Sequence, residues 1–591
     1  PYFAEGASAS GAGKEITLLR ATVTYGEPGP WQPTLVADKI IYTPGQRLRT
    51  ENSRAGVGRA QPLPLPHLTQ NLRDPLTSFV TLNAGYRSSL GLVAEAGLHL
   101  PTAPGVMVGG ELGVYTSRGV MVGPSGSYAR GSGADAGGGD LRGSFRTGYI
   151  NDHGDKKSDL LGRAVPENRG YIEWTHAQSL AENLTLTAQL NWWKDSEILR
   201  DFRPDAFYRV QQPDTFAEAA YAGRNYFVSV FTRLQPNNFS VAQERLPELR
   251  FDLLPTAIGG GFYERLNASA AVLRESAPLR QPRLQTTRLD AYYTLARPIT
   301  HEDWLSFTPV GGARVTHYGD SKTANPRGAA ATTRTLGELG FDAALRTSAT
   351  FDYKNPLWKI DGLRHLFTPR LGYRFIPEAD KNRARIPPID REVFSTYLRP
   401  LGLGDTRNLD DLRATNTLRL GFDNTLQTRD ATYGSRDLVT FNVANDFRLK
   451  RAPGERTASE THAELALTPV RWLEASVYQS VAPQSLTLRE FNSALTLRDG
   501  EAWSLRFSNN FLRHQLHDYA LDARARLNER FDTLVRLRYD ARTRRFNEQG
   551  YGLVQNLANT WRLSYVVNLF SGPRRESRLG FSIQVDAIGF R

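Results

Sequence analysis

The chain has 591 residues, 73 of them Lys or Arg against 61 Asp or Glu, for a formal net charge of +12, and it contains no cysteine. The missing cysteines exclude disulfides and thiolate metal sites, and no apolar run approaches the roughly 18 residues that a membrane-spanning helix needs. The basic residues are spread along the chain rather than gathered in one patch, which argues against nucleic acid as a partner; the excess reads either as solvated loops or as attraction for an anionic partner such as phosphorylated lipid. The chain opens at Pro1 without a signal peptide; an exported protein would have lost one already, so this does not argue for the cytoplasm.

Residues 1–66 differ from the rest. Segments 16–25 and 35–43 read as two short strands, with a third near 48–50, and Pro28, Gly29, Pro30 and Pro33 break the chain between the first two. This is the pattern of the tail of a small stacked β-structure; the alternative is a disordered leader. Gln61, Pro62, Leu63, Pro64, Leu65 and Pro66 then form an extended linker.

From about residue 80 to the end, short stretches alternate apolar and polar. Leu184, Leu186, Ala188, Leu190 and Trp192 fall on one side of a strand, and Thr185, Thr187, Gln189 and Asn191 on the other. Phe531, Thr533, Val535, Leu537 and Tyr539 repeat the pattern, as do Leu579, Phe581, Ile583, Val585 and Ala587. About twenty-three candidate strands follow one another, with Gly, Pro, Asn and Asp between them. None is assigned within 116–141, 194–224 or 234–260. Residues 67–591 therefore predict an all-β fold, a large transmembrane antiparallel β-barrel of about 24–26 strands. The mean hydropathy of -0.44 fits, because a polar lumen and polar loops dilute the lipid-facing half. Segments 123–140 and 376–412 read as long outside loops, the second with possible helical turns. Trp192, Trp193, Trp304, Trp503 and Trp561 sit near strand ends and suit interfacial girdles, although each could equally line the lumen.

No catalytic pattern survives inspection, so the chain is not read as an enzyme, and no cofactor is expected. His301-Glu302 begins like a zinc-protease motif, but Leu305 stands where the second His is required. Gly11-Ala12-Gly13-Lys14 is like a phosphate loop, yet Ser8 replaces its first Gly and Glu15 follows the Lys. Gly137-Gly138-Gly139-Asp140 is a single copy of a calcium-repeat-like turn and reads better as a loop. A Ser–His pair on different strands would not be visible as a spacing.

Several stretches resemble the LptD family of lipopolysaccharide-assembly (organic solvent tolerance) proteins. These are 79–115, with its NAGY and later AP; RGYIEWTHAQSLAENLTLTAQLNWWKDSEILRDF over 169–202; Glu244-Arg245-Leu246-Pro247-Glu248-Leu249; 288–318; and HLFTPRLGY over 365–373. Arg578-Leu579-Gly580-Phe581-Ser582-Ile583-Gln584-Val585 resembles the last-strand signal of outer-membrane barrels, with Ile583 and Val585 in place of aromatics and an atypical Arg591 after Phe590. The resemblance implies that residues 1–66 are the end of a periplasmic β-jellyroll. It implies an outer-membrane translocon in a Gram-negative-type bacterium, passing lipopolysaccharide into the outer leaflet. The acyl chains would cross the jellyroll groove at Ile16, Leu18 and Ile40. They would then leave through a lateral gate between the first and last barrel strands, at Leu82, Tyr86, Gly97, Phe581, Ile583 and Val585. The implied partners are a plug lipoprotein (LptE-like), a periplasmic bridge protein (LptA-like) and the barrel-assembly machinery. Two features depart from the family: no Pro lies between Pro75 and Pro101, where members often weaken the first strands, and no disulfide can tie the jellyroll to the barrel.

The main rival is a large porin or siderophore-receptor-like solute channel. A receptor needs a plug far longer than residues 1–66, and a porin needs no N-terminal β-structure. A barrel hydrolase would be much smaller, and a soluble solenoid would show a short fixed repeat.

Overall fold

The computed structural model describes residues 2–12, 15–44, 46–71, 80–103, 105–131, 140–154, 157–276, 283–321, 330–379, 386–391, 394–430, 432, 434–451, 454–571 and 578–587. The turn read at Gly137, Gly138 and Gly139, the Gly13-Lys14 pair and the final Phe590-Arg591 lie outside them.

The N-terminal part is a five-stranded antiparallel sheet, β1 (Tyr2–Ala12), β2 (Glu15–Tyr25), β3 (Pro33–Thr43), β4 (Arg47–Val57) and β5 (Ala60–Asn71), paired in chain order. Its apolar face collects Ala21, Val23, Leu35, Ala37, Ile40, Leu48, Leu65 and Leu68. A strict alternation would throw half of these outward. The inward parity switches between Leu18 and Ala21, where Arg20 takes φ 48°, and beside Asn52, also at φ 48°. These left-handed residues crease the sheet and keep the apolar side chains on its concave side. The segment 61–66 is not a free linker: it is the body of β5, paired to β4 alone. Proline lacks an N–H to donate, and an edge strand tolerates that on its unpaired side.

The remainder closes into one antiparallel barrel of twenty-six strands. Two of them are interrupted: Gln285–Ala296 continues as Ile299–His301, and Thr332–Leu345 as Thr347–Asn355. Each candidate strand lies in a barrel strand, and three more complete the wall: Gly119–Arg130, Thr215–Ala222 and Ala242–Gly259. Residues 123–130 of segment 123–140 are thus strand, and Gly131 and Asp140, on either side of the undescribed residues, lie at the short-turn end. Gly123 and Pro124 fall in a gap of the pairing with Leu141–Asn151, and Pro247 and Pro255 fall at register shifts against Phe262–Ser276. Bulges absorb the residues that made these segments look like loops.

The wall is inside out. In Gln285–Ala296, Arg288, Asp290, Tyr292 and Thr294 are buried, while Leu289, Ala291 and Tyr293 are exposed. Apolar side chains that face outward around a closed ring have a hydrocarbon solvent, and the polar ones line a lumen. No helix is long and apolar enough to cross a membrane, among the described residues.

The two rims differ. Connections such as 182–183, 260–261, 471–472 and 529–530 lie on the side where the N-terminal sheet joins; 152–167, 194–214, 377–414 and 449–460 lie on the other. Trp304, Trp358, Trp472, Trp503 and Trp561 all sit in or beside short turns, an aromatic girdle at that rim, and Trp192 lies at the long-loop end of its strand, opposite outward-facing Ile172. Trp193 does not belong to the girdle. It is 2 % exposed and packs with Ile198, Leu199, Phe202 and Phe239 under the long-loop rim.

Two long loops fold back into the lumen and are held by buried ion networks. Helices α1 (Ile198–Phe202) and α2 (Pro204–Arg209) hang from the first. Arg169 binds Asp195, Asp152 and Asp201, each at 2.8 Å, and Arg118 reaches Asp152 and Asp201. In the second, Arg288 binds Asp390 and Asp410, Arg314 donates to the Leu403 carbonyl, and the Leu403 N–H donates to Glu338. Among the described residues of 376–412, the helical turn is a single 3-10 turn, Leu409–Asp411. Burial alone would raise Asp152, but hydrogen bonds from Arg118 and Arg169 hold it below the usual carboxylate range. Asp201 is pushed the other way, chiefly by burial, which the same two guanidiniums only partly offset.

Removing Arg169 leaves buried Asp195 without a cation, and Asp152 and Asp201 with Arg118 alone, among the described residues. Arg169→Ala is expected to cost about 3–5 kcal/mol, read as a lower urea midpoint for the micelle-refolded barrel. The pH dependence follows from the two signs. Asp201, with its raised pKa, takes up a proton first and sheds buried charge. Asp152 contributes stability in full above its unfolded pKa of about 3.9 and loses it as pH falls through its lowered folded value. Protease resistance of loop 152–167 should therefore persist from pH 7 to about pH 4 and disappear below.

Candidate functional site

Twenty-five of the twenty-six strand junctions are tied by a connection at one end; the last joins the first strand, Val80–Arg87, to the final strand, Leu579–Ala587, through hydrogen bonds alone. This seam pairs Gly580 with Arg87, Phe581 with Tyr86, Ser582 with Gly85, Ile583 with Ala84, Gln584 with Asn83 and Val585 with Leu82. At the long-loop end it is drawn tight: the Ser88 N–H donates to the Leu579 carbonyl at 2.9 Å, and the Ser88 hydroxyl accepts from the Arg578 N–H at 3.0 Å. At the short-turn end it stops early. Val80 and Thr81 pair with the second strand, and Asp586 and Ala587 with the penultimate one, but not with each other.

Of the residues singled out from sequence, Leu82, Tyr86, Phe581, Ile583 and Val585 all lie on the membrane face of this seam. Gly97 lies one strand away, opposite Thr81. The glycine that matters to the seam is Gly85. A Cβ there would run into the Phe581 carbonyl and Ser582 Cα, so only glycine permits this approach of the two strands.

The N-terminal sheet straddles the seam. On one side, Leu100 and Met107 of the second and third barrel strands pack into its apolar core. On the other, the loop at Trp31 and Gln32 docks on the turn before the penultimate strand. Thr560 donates to the Gln32 side chain at 2.6 Å, and the Trp561 indole donates to the Trp31 carbonyl at 2.5 Å. Leu18 pairs with Ile40 and Ile16 with Tyr42. Ile40 is fully buried, Leu18 packs against the same core, and Ile16 is exposed at the end of that face.

The wall beside the seam has opposite character on its two sides. Outside, below Pro62 of β5, an apolar hollow of about 710 Å³ is lined by Ala96, Leu98, Gly110, Leu112 and Val122. Inside, a polar chamber of about 390 Å³ draws residues from both seam strands: Asn83 and Arg87 from the first and Gln584 from the last. Helix α2 roofs it with Pro204, Asp205 and Arg209. Glu95 accepts from Asn83 and from the Tyr115 hydroxyl, both at 2.7 Å. Arg146 pairs with Glu111, and Arg203 with Glu173. This chamber was not foreseen from the sequence. Its signal was present in the alternation, because Arg87 follows outward Tyr86 and must point inward. No group of three or more His, Asp or Glu side chains suited to a metal occurs among the described residues.

A family model described as LptD, LPS transport system D, matches residues 167–566. The sequence matches no curated protein. Among solved structures, the chain is similar to the alcaligin outer membrane receptor FauA from Bordetella pertussis, at 9% identity and TM-score 0.33 over 93% of this chain and 81% of that one. It is likewise similar to the siderophore receptor PirA from Pseudomonas aeruginosa, at 9% identity and TM-score 0.31 over 92% and 87%. The copper transporter OprC aligns at 11% identity and TM-score 0.33 over 95% and 86%.

The seam register is testable directly. Ala84 and Ile583 face each other, within the Cα separation that a disulfide spans. The double variant Ala84→Cys, Ile583→Cys should crosslink on mild oxidation into a circularised barrel of altered gel mobility. Offsetting one cysteine by a residue, as in Ala84→Cys, Gln584→Cys, should not, because adjacent residues point to opposite faces.

Proposed function

The chain belongs to the LptD family, LPS transport system D, an outer-membrane transport family rather than an enzyme family, and from that premise we propose that its seam is a lateral gate for lipopolysaccharide. The observation that carries the proposal is the coincidence of three features at one place. The only junction without a covalent tie is also unpaired at its short-turn end, and that end lies beneath an apolar sheet docked on both its flanks.

The physics follows from what lipopolysaccharide is, a cluster of acyl chains joined to a polar sugar. Neither part crosses the other's solvent cheaply. A seam with an oily hollow outside and a polar chamber inside lets acyl chains travel on the membrane face and sugar on the lumen face, the strand edges passing between. Opening costs a few backbone hydrogen bonds, and in lipid each unpaired group is expensive. The gap left between Thr81 and Asp586 removes part of that cost where opening must start. Leu82, Tyr86, Phe581, Ile583 and Val585 are the gate residues on this reading, with Gly97 supporting the first strand from its neighbour. Residues 1–66 are the end of a periplasmic jellyroll, and the short-turn rim faces the periplasm. Ile16 marks the entry of the lipid path, which then runs over Leu18 and Ile40. Ile40 is buried at rest, so the crease at Arg20 must flex for chains to pass. Family membership supports a plug lipoprotein, a periplasmic bridge protein and the barrel-assembly machinery as partners.

Photocrosslinkers placed at Ile16, Leu18 and Ile40 in cells should capture lipopolysaccharide, and the adducts should vanish when ATP hydrolysis at the inner membrane is blocked. Barrels that insert normally and conduct solutes without forming adducts would replace the translocon with a solute channel.

A further inference from the structure

The chamber behind the seam holds two arginines whose charge the described residues leave unanswered. Arg87 makes no ion pair among them, and its Nη1 is buried with no hydrogen-bond partner. Arg209, on the roof, gives its Nε–H to the Asp205 backbone carbonyl at 3.1 Å and pairs with no carboxylate among the described residues. The other basic groups of the chamber are engaged, Arg146 by Glu111 and Arg203 by Glu173. A guanidinium is a rigid fork that cannot shed its proton, so Arg87, with a buried nitrogen left unfilled, is a vacancy for an anion, and Arg209 presents an exposed fork on the roof above it.

We propose that this chamber is a phosphosugar site, with Arg87 and Arg209 taking the phosphate of the lipid headgroup as it reaches the seam. Arginine suits a phosphate because its parallel N–H groups match two phosphate oxygens. The carboxylates present do not contradict this. Glu95 already accepts from Asn83 and Tyr115, and Glu95 and Asp205 stand where sugar hydroxyls could donate. The volume of about 390 Å³ lies in the range of small-ligand sites, about 300–1,000 Å³, enough for a phosphorylated sugar and too small for a whole lipid. Because Asn83 and Arg87 come from the first strand and Gln584 from the last, separating the seam also splits the chamber. A headgroup held there sits behind the paired part of the seam, toward its clasped long-loop end, with its acyl chains on the far side of the same strands.

The inference rests on the gate reading, and its test separates the two. The full chain in lipid nanodiscs is titrated with lipopolysaccharide and with the same material after phosphatase treatment, and inorganic phosphate is used as competitor. The wild-type chain should prefer the phosphorylated lipid by at least about tenfold, the value expected from one or more charged hydrogen bonds. Arg87→Gln with Arg209→Gln should erase that preference while heat-resistant migration shows an intact barrel. Arg87→Lys, which keeps the charge but not the fork, should retain part of it. An unchanged preference in the double variant would overturn the site, and so would inorganic phosphate binding as tightly as the lipid. Adducts at Ile16, Leu18 and Ile40 report on the gate reading independently: if they form and the double variant still discriminates, only the phosphosugar site fails; if they never form, the gate reading fails with it.

Discussion

A sheet inside a membrane cannot have an edge. Hydrocarbon offers no partner to an exposed N–H or C=O, so the strands must close on themselves. Closure brings the first strand against the last, and that junction differs in kind from all others: the rest are stitched by turns, this one by hydrogen bonds only. Whatever must leave sideways from such a barrel leaves there. The early end of pairing at Leu82 and Val585 and the docking of the N-terminal sheet across the same spot both gain meaning from that constraint.

The rest of the wall is braced from within. Arg169 with Asp152, Asp195 and Asp201, and Arg288 with Asp390 and Asp410, tie long loops into the lumen through fully buried charges. Such networks give little net stability against a hydrophobic alternative but are costly to break one partner at a time. They brace the wall and the long-loop mouth, and the nearer one begins only at Arg118, after the third barrel strand. The seam itself carries no ion pair among the described residues. It depends on the close approach allowed by Gly85 and on the Ser88 clasp at its long-loop end.

Much of this was legible in the sequence because the two-residue period of a strand survives burial on either side. Leu579, Phe581, Ile583 and Val585 announce an outward face whether the solvent is water or lipid, and the final strand runs where its alternation says. The failures have physical causes. Gly119–Arg130 and Ala242–Gly259 carry Gly123, Pro124, Pro247 and Pro255, which local chemistry assigns to turns; pairing interruptions and bulges accommodate them in a wall held by both neighbours. Thr215–Ala222 is short and Ala-rich, with little contrast between its faces. The segment 61–66 looked like a spacer because prolines favour extension, and extension is also what an edge strand needs. The candidate site was half visible. Its membrane face could be read from alternation in the two terminal strands, but the lumen chamber is assembled from strands and a loop far apart in the chain, and no spacing records that meeting. Trp193 misled for the same reason: a tryptophan near a strand end suits either an interface or a buried cluster, and only the packing with Ile198 and Phe239 decides.

The central claim is that the seam opens while lipid passes and is otherwise closed. Spin labels at Ala84 and Ile583, which face each other on the membrane side, report the gap directly by pulsed dipolar spectroscopy in nanodiscs. A single short distance at rest, joined by a longer population when lipopolysaccharide is delivered and lost again when delivery stops, is the result this account predicts. One short distance throughout active delivery would contradict it.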